Sequence, residues 1–395
     1  MEYVKGTPFF TQGEKIKQYN YLDKDAECDV LIVGGGIDGA IVNFYLSQKF
    51  NTILVDKQRF GFCSTSCATI LLEYQLDNFA SDLLKEMSQN QVVDVYKMGL
   101  YSIEKINSFI KKYGNSCQFA LRPTLLFSAN KSDKKDILKE YNFRVLNGFD
   151  CELITKKNNP FPFKIEYGIY CPNGGCELNP YLFTKQLIEN SSNQQHIYEN
   201  TEVKSFVCEK DFVIATTSYG QKIKCKKLVL ATGFNWELLK NKTLTSRTVS
   251  YSVVTTPSLI NWKQNALIQD CKQPYHYMKK LPCGRIIYGG EDTKFNNKFI
   301  KEKTAIKKYK KLEKSLKKMF DSQDIKIEYN FCGCFGTTKN NLGVIGKSEQ
   351  KNVYYFFSNG ANGVINGMYA VELLEDIFNG KYNKFEELFS PLRKI

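Results

Sequence analysis

The stretch from Cys28 to Lys57 reads CDVLIVGGGIDGAIVNFYLSQKFNTILVDK and contains the pattern that decides the fold. An apolar run, Asp29 to Val33, predicts a buried parallel strand, and apolar residues at helical spacing follow from Ala40 to Gln48. G-x-G-x-x-G lies between them, and a second apolar run, Thr52 to Val55, ends at Asp56. Strand, glycine turn, helix, strand and acid in this order predict a dinucleotide-binding unit.

The three glycines of this pattern and the acid have separate tasks. Gly34 permits a tight turn, Gly36 lets the backbone approach a pyrophosphate, and Gly39 lets helix and strand pack closely. The helix N-terminus offers free N–H groups and a positive dipole end to the phosphates. Asp56 is expected to accept hydrogen bonds from ribose hydroxyls. A glycine-rich turn in an ordinary α/β protein is the alternative, and this motif does not separate NAD from FAD.

The bulk composition bounds the class of protein. A chain of 395 residues, 43% of them hydrophobic, can form two domains with a sizeable core. No apolar run is long enough to span a bilayer, and the N-terminal residues lack the apolar segment of a signal peptide. The thirteen cysteines are expected to be free thiols in a reducing compartment. We therefore expect a cytoplasmic protein.

The net charge of +14 could indicate nucleic acid or an anionic membrane as a partner. The excess is lysine spread along the chain, which favours a compositional bias instead. Its densest run, Lys301 to Phe320, places apolar residues, Ile306 among them, on one helical face. A surface helix with solvated lysines is the preferred interpretation, and a helix that lies on nucleic acid or a membrane is the alternative. We expect no nucleic-acid partner.

Two later stretches favour a flavin over a nicotinamide cofactor. Lys227 to Gly233, KLVLATG, is an apolar strand that returns to the cofactor and ends in small residues. Asn359 to Gly363, NGANG, precedes a predicted helix from Val364 to Phe378. The free N–H groups of that helix suit the electron-rich edge of a reduced flavin. A simple NAD dehydrogenase has its cofactor domain in one continuous block, which this chain lacks.

Three further segments, CELNPYLFTKQL, GRIIYGGED and NLGVIG, occur in addition to the stretches described above. Taken together, these segments resemble the FAD-dependent oxidoreductases of the glycine/D-amino-acid oxidase (DAO) family. The resemblance covers roughly residues 27 to 380 in the family's order, and the aromatic pair Phe9–Phe10 is similar to one branch. It implies an α/β fold with a Rossmann-like FAD-binding domain and a discontinuous, β-rich substrate domain of mixed antiparallel sheet. It also implies FAD, covalent or not, and oxidation of a C–N or C–O bond.

The two predicted domains interrupt one another along the chain. A hairpin predicted by the turn Leu281–Gly284, between strands Tyr275–Lys280 and Arg285–Gly290, belongs to the β-rich one. The division that we propose is an N-terminal extension, 1–27, an FAD-binding domain, 28–113, 171–240 and 330–395, and a substrate domain, 114–170 and 241–329.

The resemblance also implies which residues contact FAD. They are expected to contact the pyrophosphate, the adenosine, the ribityl oxygens and the pyrimidine edge of the flavin. The predicted set is Gly34, Gly36, Ile37, Gly39, Asp56, Lys57, Ser64, Thr65, Ser66, Val203, Ala231, Thr232, Gly233, Gly360, Ala361, Asn362, Gly363 and Val364.

Two positions depart from the pattern of the family's amino-acid oxidases. Phe335 and Ala361 stand where those enzymes often have arginines. A substrate carboxylate would want such a bidentate partner. Their absence weakens the prediction of an α-amino acid and leaves the substrate class open.

No catalytic residue is assigned, but five residues are candidates for the substrate cavity: Tyr251, Tyr275, His276, Tyr277 and Arg285. On a strand, Tyr275 and Tyr277 share one face and His276 takes the other. Tyrosines that face the flavin would bind substrate, whereas a histidine there could act as a base. Aromatic packing within the sheet and an exposed hairpin arginine are the alternatives.

The cysteine pairs do not predict a metal site. Cys332 and Cys334 form C-x-C, and Cys63 and Cys67 form C-x₃-C, but no cysteine follows Cys334 to complete a cluster motif. We predict no metal, and a covalent flavin at Cys63 or Cys67 stays open.

Three functions stay open on the sequence. The leading hypothesis is an FAD-dependent oxidoreductase that oxidises a small amine, imino or amino acid by hydride transfer to flavin N5, with electrons passing to oxygen or another acceptor. The second is a flavin dehydrogenase of a 2-hydroxy acid or polyol phosphate. The third is a flavoprotein that acts on nucleic acid or as a non-catalytic partner.

Overall fold

The structure is a computed structural model that describes residues 3–14, 17–234, 238, 245–296, 299–358, 360 and 362–393. Within these residues the strands are β1 Val4–Gly6, β2 Ala26–Val33, β3 Thr52–Val55, β4 Leu72–Glu73, β5 Ala120–Ser128, β6 Glu152–Thr155, β7 Tyr167–Glu177, β8 Ile197–Tyr198, β9 Val203–Cys208, β10 Val213–Thr217, β11 Lys222–Leu230, β12 Ser246–Thr255, β13 Leu267–Asp270, β14 His276–Lys280, β15 Ile286–Lys294, β16 Ile327–Thr337, β17 Val344–Lys347 and β18 Val353–Phe357. The helices are α1 Ile37–Leu46, α2 Ala80–Leu83, α3 Gln89–Tyr113, α4 Lys134–Leu146, α5 Pro180–Glu189, α6 Glu302–Met319, α7 Gly363–Phe378 and α8 Glu386–Phe389.

The smaller sheet is the dinucleotide-binding core that the opening motif predicts. Its order is β17-β18-β11-β2-β3-β8, with the hairpin strands β10 and β9 attached to β11. β18, β11, β2, β3 and β8 run parallel, and β17 is antiparallel to β18. The predicted strands Asp29–Val33, Thr52–Val55 and Lys227–Gly233 therefore lie side by side. A Rossmann-like α/β fold is confirmed.

The contact between β2 and α1 depends on Gly39. A Cβ atom at this position would lie 1.7 Å from the carbonyl oxygen of Gly34, so a side chain cannot fit there. Gly34 itself has a φ of +114°, in the region that favours glycine. Gly39 thus sets how closely α1 packs on the sheet.

The larger sheet is mixed and mostly antiparallel. Its order is β1-β16-β12-β15-β14-β13-β5-β7-β4, with β6 on β7. β14 and β15 form the predicted hairpin around Leu281–Gly284. α6, the lysine-rich helix, packs on this sheet through buried Ala305, Leu312 and Leu316, whereas Ile306 is exposed. The amphipathic surface helix is thus confirmed, except that its apolar face excludes Ile306.

Two segments lie in the larger sheet, although the proposed division placed them in the FAD-binding domain. They are residues 171–177 of β7 and 330–337 of β16. The run from Gly174 to Pro180 is rich in residues typical of a turn, but β7 continues to Glu177. The glycines here serve close packing: a Cβ at Gly174 would lie 2.4 Å from the Thr124 hydroxyl, and one at Gly175 2.5 Å from the Leu72 carbonyl oxygen.

A buried ion pair fixes α4 beside the larger sheet. Arg144 donates to Glu140 at 2.8 Å, and both side chains are almost wholly inaccessible to solvent. The Glu140 carboxylate also accepts hydrogen bonds from the Tyr96 hydroxyl at 2.9 Å and from the Ala80 amide at 2.6 Å. One carboxylate therefore joins α4 to α2 and α3.

We expect Glu140→Ala to lower the free energy of unfolding by about 3–5 kcal/mol, because it leaves a buried guanidinium without its counter-charge. Urea unfolding followed by circular dichroism measures the change. Glu313→Ala is the control, because its i,i+4 pair with Lys317 lies at the surface and contributes less than about 0.5 kcal/mol. Equal losses in the two variants would contradict this account.

Candidate active site

A cavity of about 740 Å³ lies between the two sheets. The smaller sheet contributes its carboxyl edge, where ligands of open α/β sheets bind. Fifteen of the predicted cofactor residues line the cavity: Gly34, Gly36, Ile37, Asp56, Lys57, Ser64, Thr65, Val203, Ala231, Thr232, Gly233, Gly360, Asn362, Gly363 and Val364. Among the other predicted residues, Gly39 packs behind the turn and the Ser66 hydroxyl donates to the Cys63 carbonyl oxygen at 2.8 Å. Ala361 lies outside the described residues.

The N-terminus of α1 forms an open cradle. A Cβ atom at Gly36 would approach only the Thr65 hydroxyl, at 3.2 Å, so the space over this residue is free for a ligand. The Ile37 amide donates to the same hydroxyl at 3.1 Å. Free amides at a helix start, a glycine that faces open space and a neighbouring hydroxyl fit a pyrophosphate.

Asp56 lies at the end of β3 and is tied into the turn. Its carboxyl accepts hydrogen bonds from the Gly35 amide at 2.6 Å and from the Gln58 amide at 2.7 Å. Burial raises the pKa of Asp56 to about 6, and the two amides oppose that rise. Each oxygen has a further lone pair, so the oriented group can still accept a hydroxyl.

A second acid, Asp38, escaped the sequence analysis. It lies in the first turn of α1, is buried, and accepts hydrogen bonds from the amide and the hydroxyl of Ser358 at the end of β18. Burial raises its pKa to about 6. The contact places the N-termini of α1 and α7 at one cavity. Asp38 occupies a variable position of G-x-G-x-x-G, so the motif gives no signal for it.

Asn362 joins the start of α7 to β4. Its side-chain amide donates to the Gln75 carbonyl oxygen at 2.6 Å, and its oxygen accepts from the Glu73 amide at 3.3 Å. The Asn362 side chain is therefore hydrogen-bonded within the protein. The backbone amides of the first turn of α7 remain to face the cavity.

The larger sheet brings Tyr275 and Tyr277 to the cavity and His276 to the opposite face. The Tyr277 hydroxyl lies 2.7 Å from the Ser250 hydroxyl. Gly289 makes room for this ring, since a Cβ there would lie 2.3 Å from it. Of the two orientations that the sequence left open, the tyrosines face the cavity.

The other three candidates lie elsewhere, and the described walls of the cavity do not include them. The His276 ring sits between Asp270 and Glu291, with N···O distances of 3.4 and 3.5 Å. Tyr251 is buried under α6, with its hydroxyl 3.1 Å from that of Thr293. Arg285 pairs with Glu328 on the exposed side of the hairpin. His276 and Tyr251 point away from the cavity because side chains alternate between the two faces of a strand. Arg285 is exposed because it adjoins the turn of the hairpin.

The end of the cavity under the larger sheet contains acids that sequence did not single out. Glu73 on β4, Asp77 just after it and Asp292 on β15 all line this end. Burial raises the pKa of Glu73 to about 8 and that of Asp292 to about 6. Phe335, at the position where the family often has an arginine, also faces the cavity with an apolar ring.

The described residues contain neither a disulfide bond nor a cluster of side chains suited to a metal ion. All thirteen cysteines are described and are free thiols. No group of three or more histidine, cysteine or acidic side chains is placed there to hold a metal ion. Cys63 and Cys67 line the cavity, and burial raises the pKa of the Cys67 thiol, which disfavours its thiolate.

Gly36→Ala and Gly39→Ala should separate cofactor binding from folding. We expect Gly36→Ala to fold with a near-normal melting temperature but to retain little flavin, because its methyl group occupies the cradle. Gly39→Ala should lower the melting temperature, since its methyl group collides with the Gly34 carbonyl. Flavin absorbance per protein and thermal unfolding measure the two effects. Full flavin content in Gly36→Ala would refute the cradle.

Glu73 should make stability depend on pH. The unfolded chain releases this proton near the ordinary pKa of 4.5 and the folded chain near 8, so between these values the unfolded state binds fewer protons. The Glu73 contribution therefore lowers stability as pH rises across that window. We expect Glu73→Gln to flatten the dependence in urea titrations at several pH values, whereas Glu328→Gln, an exposed control, keeps the wild-type slope. Parallel curves for wild type and Glu73→Gln would contradict the assignment.

Comparison with known proteins agrees with this geometry. The model of the DAO family, described as FAD dependent oxidoreductase, matches residues 29–377. Gamma-glutamylputrescine oxidoreductase of Escherichia coli (strain K12) is 21% identical over 401 residues, 96% of this chain and 90% of that protein. The putative Rieske 2Fe-2S iron-sulfur protein YhfW of Bacillus subtilis (strain 168) is 24% identical over 195 residues, 49% of this chain and only 38% of the relative's length.

Solved structures show the same fold. Glycine oxidase from Geobacillus kaustophilus superposes with a TM-score of 0.79 at 17% identity, over 94% of this chain and 100% of that one. At this identity the similarity concerns the fold.

Proposed function

The chain belongs to the DAO family of FAD-dependent oxidoreductases, and from this premise we propose that it oxidises a small amine, imino or amino acid in the cavity between its two sheets. The observation that carries the proposal is the distribution of charge around the cavity. The bases that line it, Lys57, Arg59 and Lys204, all belong to the cofactor side, whereas the described lining under the larger sheet has none. A substrate whose only charge is negative, such as a 2-hydroxy acid or polyol phosphate, would need a cation there, whereas the ammonium of an amine or amino acid would not.

The names of two relatives support the same class. One is an oxidoreductase of gamma-glutamylputrescine, an amine, and the other an oxidase of glycine. The family's cofactor, FAD, supplies two-electron oxidation of the carbon next to the substrate nitrogen when it is bound. The substrate loses a hydride from that carbon and a proton from nitrogen, and water then hydrolyses the imine. The electrons pass on to oxygen or another acceptor.

The proposed tasks of the chain are binding, orientation and exclusion of water. Amides at the start of α1 would hold the pyrophosphate, and Asp56 would hold the adenosine ribose. Amides at the start of α7 would present a positive dipole end to the flavin ring. Tyr277, oriented by Ser250, positions the substrate amine, and Tyr275 packs beside it with ring centroids 5.9 Å apart.

We also propose a cytoplasmic location, which the free thiols support. No helix among the described residues is both long enough and apolar enough to cross a bilayer.

The central test is anaerobic titration of the purified flavoprotein with a panel of amines, α-amino acids, 2-hydroxy acids and polyol phosphates. We expect amines or amino acids to bleach the flavin absorbance and the anionic alcohols to leave it unchanged. Bleaching by a 2-hydroxy acid or polyol phosphate, with none by any amine or amino acid, would overturn the proposal.

Tyr277→Phe should weaken use of the best amine in that panel by about 2- to 10-fold in kcat/KM, the effect of one lost hydrogen bond. Tyr251→Phe is the matched control, because it removes a hydroxyl from the same sheet that bonds to Thr293 away from the cavity. Both variants should keep their flavin. Similar losses in the two would show that the effect is general destabilisation.

A further inference from the structure

Three acids, Glu73, Asp77 and Asp292, line the end of the cavity under the larger sheet, which we call the acidic end. The three acids come from separate places: β4, the segment after it, and β15. In the described lining, no lysine or arginine accompanies them at this end; the buried Arg144, which is not part of the lining, opposes the rise in the pKa of Glu73. The arrangement is therefore suited to a positive ligand.

Glu73 has an oxygen that the protein leaves unused. The residue is 4% exposed, and its Oε1 atom has no hydrogen-bond partner among the described residues, while its other oxygen accepts from the Gln75 amide. A buried acceptor without a partner costs about 1–3 kcal/mol, or more when it is charged. A ligand that donates a hydrogen bond would remove that cost.

Asp292 presents a second unused acceptor. Its Oδ1 atom also has no partner among the described residues. The charge of Lys308 opposes the rise in the pKa of Asp292, but Lys308 and Lys311 pair with the neighbouring Glu291, at 2.9 and 3.2 Å. Two acids from different strands thus border one cavity, and each has a buried oxygen without a hydrogen-bond partner among the described residues.

Tyr275 lines the same cavity as the three acids. Burial raises the pKa of Tyr275, and the charges of Asp77, Asp292 and Glu73 add to that rise. Tyr277 is its neighbour on the strand. Carboxylates beside tyrosine faces are the chemistry by which proteins bind alkylammonium groups.

We propose that this acidic end binds the distal ammonium of a diamine, so that the substrate has two amines separated by an alkyl chain and no carboxylate beside the reacting one. The proposal rests on the amine oxidation proposed above and specifies its substrate. The reacting amine is held at Tyr277 as the neutral base, while the distal amine stays protonated against Glu73 and Asp292.

Three ligands of matched length test this on the wild-type holoenzyme. Tetramethylenediamine has a distal ammonium, butylamine has a methyl group there, and γ-aminobutyrate has a carboxylate. We expect anaerobic titration of the flavin absorbance to give an apparent Kd for the diamine at least about 30-fold below that of butylamine, the effect of one buried charge pair. γ-Aminobutyrate should bind more weakly than butylamine.

Glu73→Gln and Asp292→Asn keep the shape of the site and remove one ionisable carboxyl group each. We expect either change to reduce the preference for the diamine over butylamine by about tenfold or more. Glu328→Gln is the control, since it removes the same charge from the exposed face of the same sheet and should keep the preference. Flavin content per protein verifies that each variant is folded.

The outcomes separate this proposal from the one on which it rests. Equal affinity for the diamine and butylamine, or tightest binding of γ-aminobutyrate, would overturn the diamine assignment and leave amine oxidation standing. Bleaching only by 2-hydroxy acids or polyol phosphates would overturn both. A preference for the diamine that persists in both Glu73→Gln and Asp292→Asn would also overturn the assignment of the site.

Discussion

The buried contact between Asp38 and Ser358 is the interaction on which the cofactor site depends. It joins the first turn of α1 to the end of β18, two places that lie far apart along the chain. Parallel pairing of β2, β11 and β18 brings their carboxyl ends to one edge, and the carboxyl of Asp38 fixes how the last strand meets the first helix. Two helix N-termini therefore face one cavity, and their dipoles reinforce one another.

The two sheets divide the electrostatic tasks of the cavity. The smaller sheet supplies amides, small residues and the three lining bases, which suit a phosphate-rich cofactor. The larger sheet supplies tyrosines, Phe335 and acids, which suit an organic cation.

The sequence pattern predicted the elements whose formation depends on interactions between residues close together in the chain. The strands and helix of the opening motif, the β14–β15 hairpin and the buried face of α6 follow from periodicity and turn residues, and the structure confirms them. Alternation predicted that Tyr275 and Tyr277 share a face but not which face meets the cavity, since that depends on where α6 packs. Gly174 is typical of a turn by its sequence context, but in the structure it lies in β7, which passes close to Thr124.

The sequence could not predict the acids at the acidic end of the cavity, for a related reason. β4 is only two residues long, so Glu73 lies in no periodic pattern, and its unused oxygen becomes visible only when β7 and α7 surround it. Asp292 follows another acid on an alternating strand, and nothing in the sequence separates the one that faces the cavity from the one that faces α6. Long-range packing decides both cases.

The distance along the chain between α1 and α7 has a consequence for biosynthesis. Segments that line the cofactor cavity occur from the first strand to the last long helix, and β1 pairs with β16 to close the larger sheet. A nascent chain on the ribosome therefore exposes an incomplete nucleotide cradle until almost all of it has emerged. A complete FAD site can therefore form only after α7 has been synthesised.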